Sequence, residues 1–240
     1  MNPANSSFEP FSDAAADPPV RGFLGHPQGA LQNGLVLTHG AGGNCRGSLL
    51  VALAQAFVAI GFVVLRCDLP FRQDRPYGPP RPGNAARDRE GLRNAVEALK
   101  KLGARRLFLA GQSYGGRQAT MLCADTPELA AGLLPLSYPL HPPGKADQLR
   151  TQHLPKLSTP ALFVQGTRDP FASIQEMEAA LKLIPAKTSL LAIEGVGHDL
   201  GFKGKQRREE LPATIGQHFQ RFFGGTESGE DRPRPFDGAR

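Results

Sequence analysis

The chain has 240 residues, 40% apolar and 21% charged, with a formal net charge of +6. That balance excludes global disorder, and the length suits one medium domain with a core of its own. Cys45, Cys67 and Cys123 are odd in number and show no CxxC or Cys/His spacing, which excludes a complete disulfide framework and a thiolate metal site and points to a reducing compartment.

Residues 1–20 carry three acids, no base before residue 21 and no apolar run, so they read as a disordered tail rather than a secretory signal. Gly34 to Thr38 reads as the first core strand and Ser48 to Ile60 as a helix. Leu49 to Leu65 is long and apolar enough to resemble a membrane span. Gly61 divides it, however, into an Ala- and Leu-rich half and a β-rich half, the pattern of a buried helix feeding a buried strand at Phe62 to Cys67. No membrane association is expected. Between Asn84 and Leu102 apolar residues fall at 92, 95, 96, 99 and 102, a helical spacing. Leu107 to Ala110 is the next strand, Gly116 to Ala124 a helix and Leu133 to Leu136 a strand. Ala161 to Val164 follows as a strand, and Ser173 with Glu176 offers a capping box to a helix with Ile174, Met177 and Leu181 inward. Ser189 to Ile193 closes the sheet, and Glu209 to Phe223 is a last helix with 211, 215, 219 and 222 on one side. Residues 224–240 read as a second disordered tail, which leaves 21–223 as the domain. Strands alternating with helices predict an α/β fold, a three-layer α/β/α sandwich on a mostly parallel, doubly wound sheet.

Twelve basic residues stand against five acidic ones between Arg66 and Arg117. Such a segment attracts carboxylates or phosphates, or else presents solvated helix faces through Arg87, Arg89, Arg93, Lys100 and Lys101. Aromatic residues are not interleaved with the charges as strand-stacking surfaces require, so nucleic acid is not an expected partner.

The chemistry centres on Gly111-Gln-Ser113-Tyr-Gly115-Gly116, between a strand and a helix. This is the nucleophile-elbow arrangement. A turn that tight strains the serine, and Gly111 and Gly115 relieve contacts where the chain nearly meets itself. GxSxG alone is a weak signal; its context strengthens it. A serine nucleophile needs a base, and the base an orienting acid, in the chain order Ser, acid, His. His198 follows the last strand, and Asp169 follows the strand at 161–164, both at carboxyl ends where open α/β sheets build their sites. Asp169 before Pro170 also fits a plain helix-start turn. Asp68 and Asp199 are rival acids, and His39 and His141 rival histidines in the wrong chain order. The oxyanion of a tetrahedral intermediate calls for two backbone amides. These are Tyr114, after the nucleophile, and Ala41, with Gly42 second, in the Gly-rich loop at 39–43.

These residues resemble the α/β-hydrolases from about residue 30 to 223. More narrowly, the chain is similar to a small lidless group near the dienelactone hydrolases. That group includes the hydrolase-like domain of an NSL histone-acetyltransferase complex subunit and a testis-expressed relative. The matching stretches are His39-Gly-Ala-Gly, Gly-Gln-Ser113-Tyr-Gly-Gly-Arg, Leu136-Ser-Tyr-Pro-Leu-His141-Pro-Pro and the run from Leu157 to Asp169. The resemblance implies a serine-hydrolase apparatus and no cofactor, without supplying a substrate. Ser113 stands where dienelactone hydrolases carry Cys, so lactone specificity does not transfer.

Only 23 residues, five of them Pro, separate Ser137 from Ala161, too few for a capping domain. An open, shallow site is therefore expected, lined by His39, Tyr138, His141 and the loop 70–83. Arg72, Arg75 and Arg81 of that loop either favour acidic acyl groups or are simply solvated. Phe71 and Tyr77 are read as packing residues. The functional expectation is a cytoplasmic serine hydrolase acting on a small-molecule ester or thioester, with Ser113 as nucleophile, His198 as base and Asp169 as its orienting acid. The alternative is a non-catalytic interaction module that kept the fold. Nothing in the sequence sets an oligomeric state.

Overall fold

In the strand Asn33–Thr38, Leu35 and Leu37 are buried on one side of a sheet and Val36 on the other. Successive side chains of a strand point to opposite faces, so a strand apolar throughout must be covered twice. The computed structural model, which describes residues 8–29, 31–203 and 208–224, shows that double cover along the sheet. Its strands are β1 (Phe8–Asp13), β2 (Val20–Gly25), β3 (Asn33–Thr38), β4 (Phe62–Cys67), β5 (Arg106–Gln112), β6 (Gly132–Leu136), β7 (Ala161–Gly166) and β8 (Thr188–Ile193). The spatial order is β1-β2-β4-β3-β5-β6-β7-β8, parallel from β4 to β8 and antiparallel at β1 and β2. The architecture is the α/β sandwich read from the alternation.

Helices α1 (Ser48–Ala59) and α6 (Leu211–Gly224) cover one face, where Phe57, Phe62, Phe108, Phe219 and Phe223 pack with ring centroids 4.5–5.8 Å apart. A short helix, α2 (Pro70–Asp74), precedes α3 (Asn84–Lys101); with α4 (Tyr114–Asp125) and α5 (Ile174–Leu181) they cover the other face. The expected capping box of α5 is present: the Ser173 hydroxyl accepts from the Glu176 amide, and Glu176 accepts from the Ser173 amide. At Gly61 the chain turns from α1 into β4 with φ +93, a left-handed conformation that glycine adopts without a Cβ penalty. The 49–65 stretch is thus helix plus strand, and among the described residues no helix is long and apolar enough to cross a membrane.

Two readings change. Residues 8–20 are not a tail: β1 pairs with β2 from Phe8↔Gly25 to Asp13↔Val20, extending the sheet by an antiparallel hairpin. Residues 1–7 and 225–240 lie outside the described residues, and Gly224 ends α6 rather than starting a tail. The segment 137–160 holds bends and one 3-10 turn at Leu154–Lys156, and no cap domain is built.

The register lines up the strand ends. Thr38 pairs with Cys67 and Gly111, Gln112 with Leu136, Leu136 with Val164 and Gly166 with Ile193. Residues just past these positions therefore share one rim, the carboxyl edge where a parallel sheet places its loops.

Candidate active site

Ser113 is the residue between β5 and α4, with φ 51 and ψ −115. A non-glycine residue there is strained by about 1–3 kcal/mol and persists only where its surroundings dictate it. The glycines show what dictates it. A Cβ on Gly111 would lie 2.5 Å from the Gly116 nitrogen, and one on Gly115 2.5 Å from the His39 carbonyl oxygen. Only a chain without side chains at those positions closes this turn. The Ser113 amide donates to the Leu136 carbonyl at 2.7 Å, pinning the turn to β6.

His198 Nε2 accepts from the Ser113 hydroxyl at 2.8 Å, and its Nδ1–H donates to Asp169 Oδ2 at 2.8 Å; the network assigns that tautomer. The Asp169 side chain is fully buried, while His198 keeps 26% of its side-chain surface. Asp169 also accepts from the Gln165 amide group at 2.8 Å and from the Phe171 N–H at 2.9 Å, so its charge is met by three donors. Gln165 is oriented in turn by accepting the Tyr138 N–H at 2.8 Å. The loop carrying His198 passes so close to β7 that a Cβ on Gly166 would lie 2.4 Å from the Val196 carbonyl oxygen.

The 39–43 loop lies beside the nucleophile: a Cβ on Gly40 would come within 3.3 Å of the Ser113 Cβ. Tyr114 opens α4, where a helix leaves its first amides without intrahelical partners. The Gly43 N–H donates to the Gly40 carbonyl, whereas among the described residues the Ala41 and Gly42 amides have no acceptor. The rival acids lie elsewhere. Asp68 accepts the Cys45 N–H at 2.7 Å and faces His39, and Asp199 accepts from the Gly201 and Lys203 amides.

The expected lining residues do not line an open mouth. His39 is 1% exposed: its Nδ1–H donates to the Gly40 carbonyl, its Nε2 accepts the Leu69 N–H, and burial lowers its pKa. Tyr138 is also buried, its hydroxyl donating to the Arg150 carbonyl beside His153. His141 is buried against the Pro142 carbonyl and Glu176. Their polar atoms have partners inside the protein, so chain position misled about exposure. Phe71 does pack, edge-on to His39 and Tyr114, but Tyr77 is 82% exposed. Arg72 is buried rather than solvated; Arg75 and Arg81 border a cavity of about 180 Å³ with Phe71, Asp74, Pro79 and Asn84.

Sequence reasoning missed Gln165, Phe171 and Asp88. Gln165 left a signal as the single polar residue inside an apolar strand. Asp88, on α3, accepts the Tyr114 hydroxyl at 2.7 Å and the Phe71 N–H at 3.0 Å, and burial raises its pKa. All three cysteines are free and buried, and no group of three His, Cys, Asp or Glu among the described residues could hold a metal ion.

The fold has close counterparts. Dienelactone hydrolase from Anabaena variabilis superposes with a TM-score of 0.71 at 20% identity, covering 91% of this chain and 97% of that one. The Est1E protein of Butyrivibrio proteoclasticus gives 0.69 at 18%, over 91% and 99%. A serine hydrolase without a lid from Xanthomonas campestris gives 0.65 at 19%, over 92% and 96%. The family profile described as an alpha/beta hydrolase domain matches residues 32–222, and the chain belongs to that family.

Proposed function

We propose that this hydrolase cleaves a small carboxylic ester or thioester through an acyl-enzyme on Ser113. The observation that carries the reading is the unbroken relay Ser113–His198–Asp169, with both links at 2.8 Å, on a serine held in a strained conformation at a helix start.

The chemistry follows from the atoms. As the Ser113 oxygen attacks the carbonyl carbon, its proton passes to His198 Nε2, and the imidazolium is stabilised by the Asp169 carboxylate. The carbonyl oxygen becomes an oxyanion that accepts from the Tyr114 amide and from Ala41 or Gly42. Collapse expels the alcohol or thiol, which takes the proton from His198, and leaves the acyl group on Ser113. Water then gives a proton to Nε2 and attacks the acyl carbon. The carboxylic acid departs and the proton returns to Ser113. The absence of a cap domain among the described residues between β6 and β7 favours substrates that need no lid to bind. Three free thiols agree with a reducing, cytoplasmic setting.

Ser113→Ala is expected to abolish hydrolysis of p-nitrophenyl acetate and labelling by a fluorophosphonate while leaving the melting temperature nearly unchanged. Equal turnover by the two proteins refutes the assignment. A folded wild type that takes no label supports a binding module instead.

A further inference from the structure

Arg72 is 6% exposed and has no carboxylate within ion-pair distance among the described residues. Its guanidinium is instead saturated by backbone. Nε donates to the Gly43 carbonyl at 2.7 Å, Nη2 to the Ala41 and Gly78 carbonyls at 2.9 Å each, and Nη1 to the Arg75 carbonyl at 3.1 Å. A buried charge is costly unless hydrogen-bonded, and here four carbonyls do that work where one acid would suffice.

Two of those carbonyls flank Gly42. The peptide bond is planar and trans, so the N–H of Gly42 points opposite to the C=O of Ala41. Fixing the Ala41 oxygen on Arg72 therefore aims the Gly42 amide away from the guanidinium, and a Cβ placed on Gly42 would meet nothing within 4 Å. The preceding peptide is fixed separately, since the Gly40 oxygen accepts from His39 Nδ1–H at 2.8 Å and from the Gly43 N–H at 3.0 Å. A charged donor on a carbonyl also polarises that peptide and strengthens its own N–H as a donor.

We propose that Arg72 is a positioning residue of the oxyanion hole, which aims and polarises the Gly42 amide and ties it to the rim loop at Arg75 and Gly78. This rests on the serine-hydrolase reading and deepens it. Arg72 touches no reacting atom; it acts through the 41–43 backbone. Lysine keeps the charge but loses the planar fork that reaches four carbonyls, so Arg72→Lys separates geometry from charge.

The experiment compares wild type with Arg72→Lys and Arg72→Met, counting active sites by the end point of fluorophosphonate labelling. For p-nitrophenyl acetate, kcat per labelled site is expected to fall by about 10²-fold in the methionine variant, the scale of one lost oxyanion donor, and by less in the lysine variant. KM stays within about twofold, the pattern of an interaction made only in the transition state. Affinity for a trifluoromethyl ketone, whose adduct on Ser113 carries an oxyanion, falls in step with kcat. The backbone amide resonance of Gly42 shifts in Arg72→Lys, a direct readout should the methionine variant not fold. A purely structural arginine lowers the melting temperature and leaves kcat per site and ketone affinity unmoved; that result, or a Gly42 resonance that does not move, overturns the proposal alone. A wild type that neither labels nor turns over overturns the hydrolase reading and this proposal with it.

Discussion

The imidazole of His198 lies against the ring of Phe171, centroids 4.1 Å apart and planes inclined by 30°. Phe171 is only two residues beyond Asp169, and its own N–H donates to that carboxylate. One short segment after β7 thus supplies the acid that holds Nδ1 and the face that limits ring rotation. Such a stack is worth about 0.5–1.5 kcal/mol beyond area burial. Phe171→Ala should lower kcat for p-nitrophenyl acetate by about two- to tenfold with KM little changed, while Phe171→Tyr keeps most of the rate. An alanine variant at full rate shows that the hydrogen bonds alone orient the ring.

The parallel core was readable because its signals are local. Apolar runs bounded by Gly and Pro set β3 to β8, an Ala- and Leu-rich run ahead of Gly61 set α1, and periodicity set α3 and α6, with ends within a few residues of those observed. The β1–β2 hairpin was not readable. Phe8 to Asp13 alternates weakly, with Pro10 inside it, and becomes a strand only because the edge of β4 offers β2 a partner. Edge position also makes the proline tolerable.

At the site, Ser113, Asp169 and His198 could be placed together because motif and chain order are sequence properties. The burial of His39, Tyr138 and His141 could not, since each depends on a partner distant in sequence: Leu69, Arg150 and Glu176 respectively. Arg72 failed for a related reason. A guanidinium in a Pro-rich loop reads as solvated until four carbonyls from two loops are found around it.

Gln165 links the nucleophile's neighbourhood to the acid, with its amide NH2 on Asp169 and its oxygen on the Tyr138 N–H. It is completely buried, so neither contact can be replaced by water without opening the sheet. Gln165→Met preserves volume and removes both bonds, leaving the Tyr138 N–H without an acceptor and Asp169 with one donor fewer. The expected loss is about 1–3 kcal/mol of stability, seen as a lower thermal midpoint. A fall in kcat of about tenfold should accompany it as the carboxylate gains freedom. Unchanged midpoint and rate together would show that the glutamine is a filler.

His153 sits beneath α4, its Nε2 at 2.9 Å from the Thr120 hydroxyl and 3.3 Å from that of Tyr138. Burial is the main reason its pKa drops from 6.5 to about 4, helped by Arg117 and Arg89 and opposed by Asp125. In the unfolded chain the imidazole takes a proton near pH 6.5, whereas the folded protein resists until about 4. Between those values the unfolded state binds more protons, so stability falls as pH is lowered through the window and levels off below it. Allowing for solvent screening, the contribution is about 1–2 kcal/mol, a few degrees in thermal midpoint. Midpoints measured from pH 7 to 4 should therefore fall more steeply for wild type than for His153→Gln, whose amide can donate to Thr120 without titrating. Carboxylates elsewhere lower both curves alike, so the difference between the two proteins isolates this histidine. Parallel curves would mean that His153 reaches water and charges freely in the folded state.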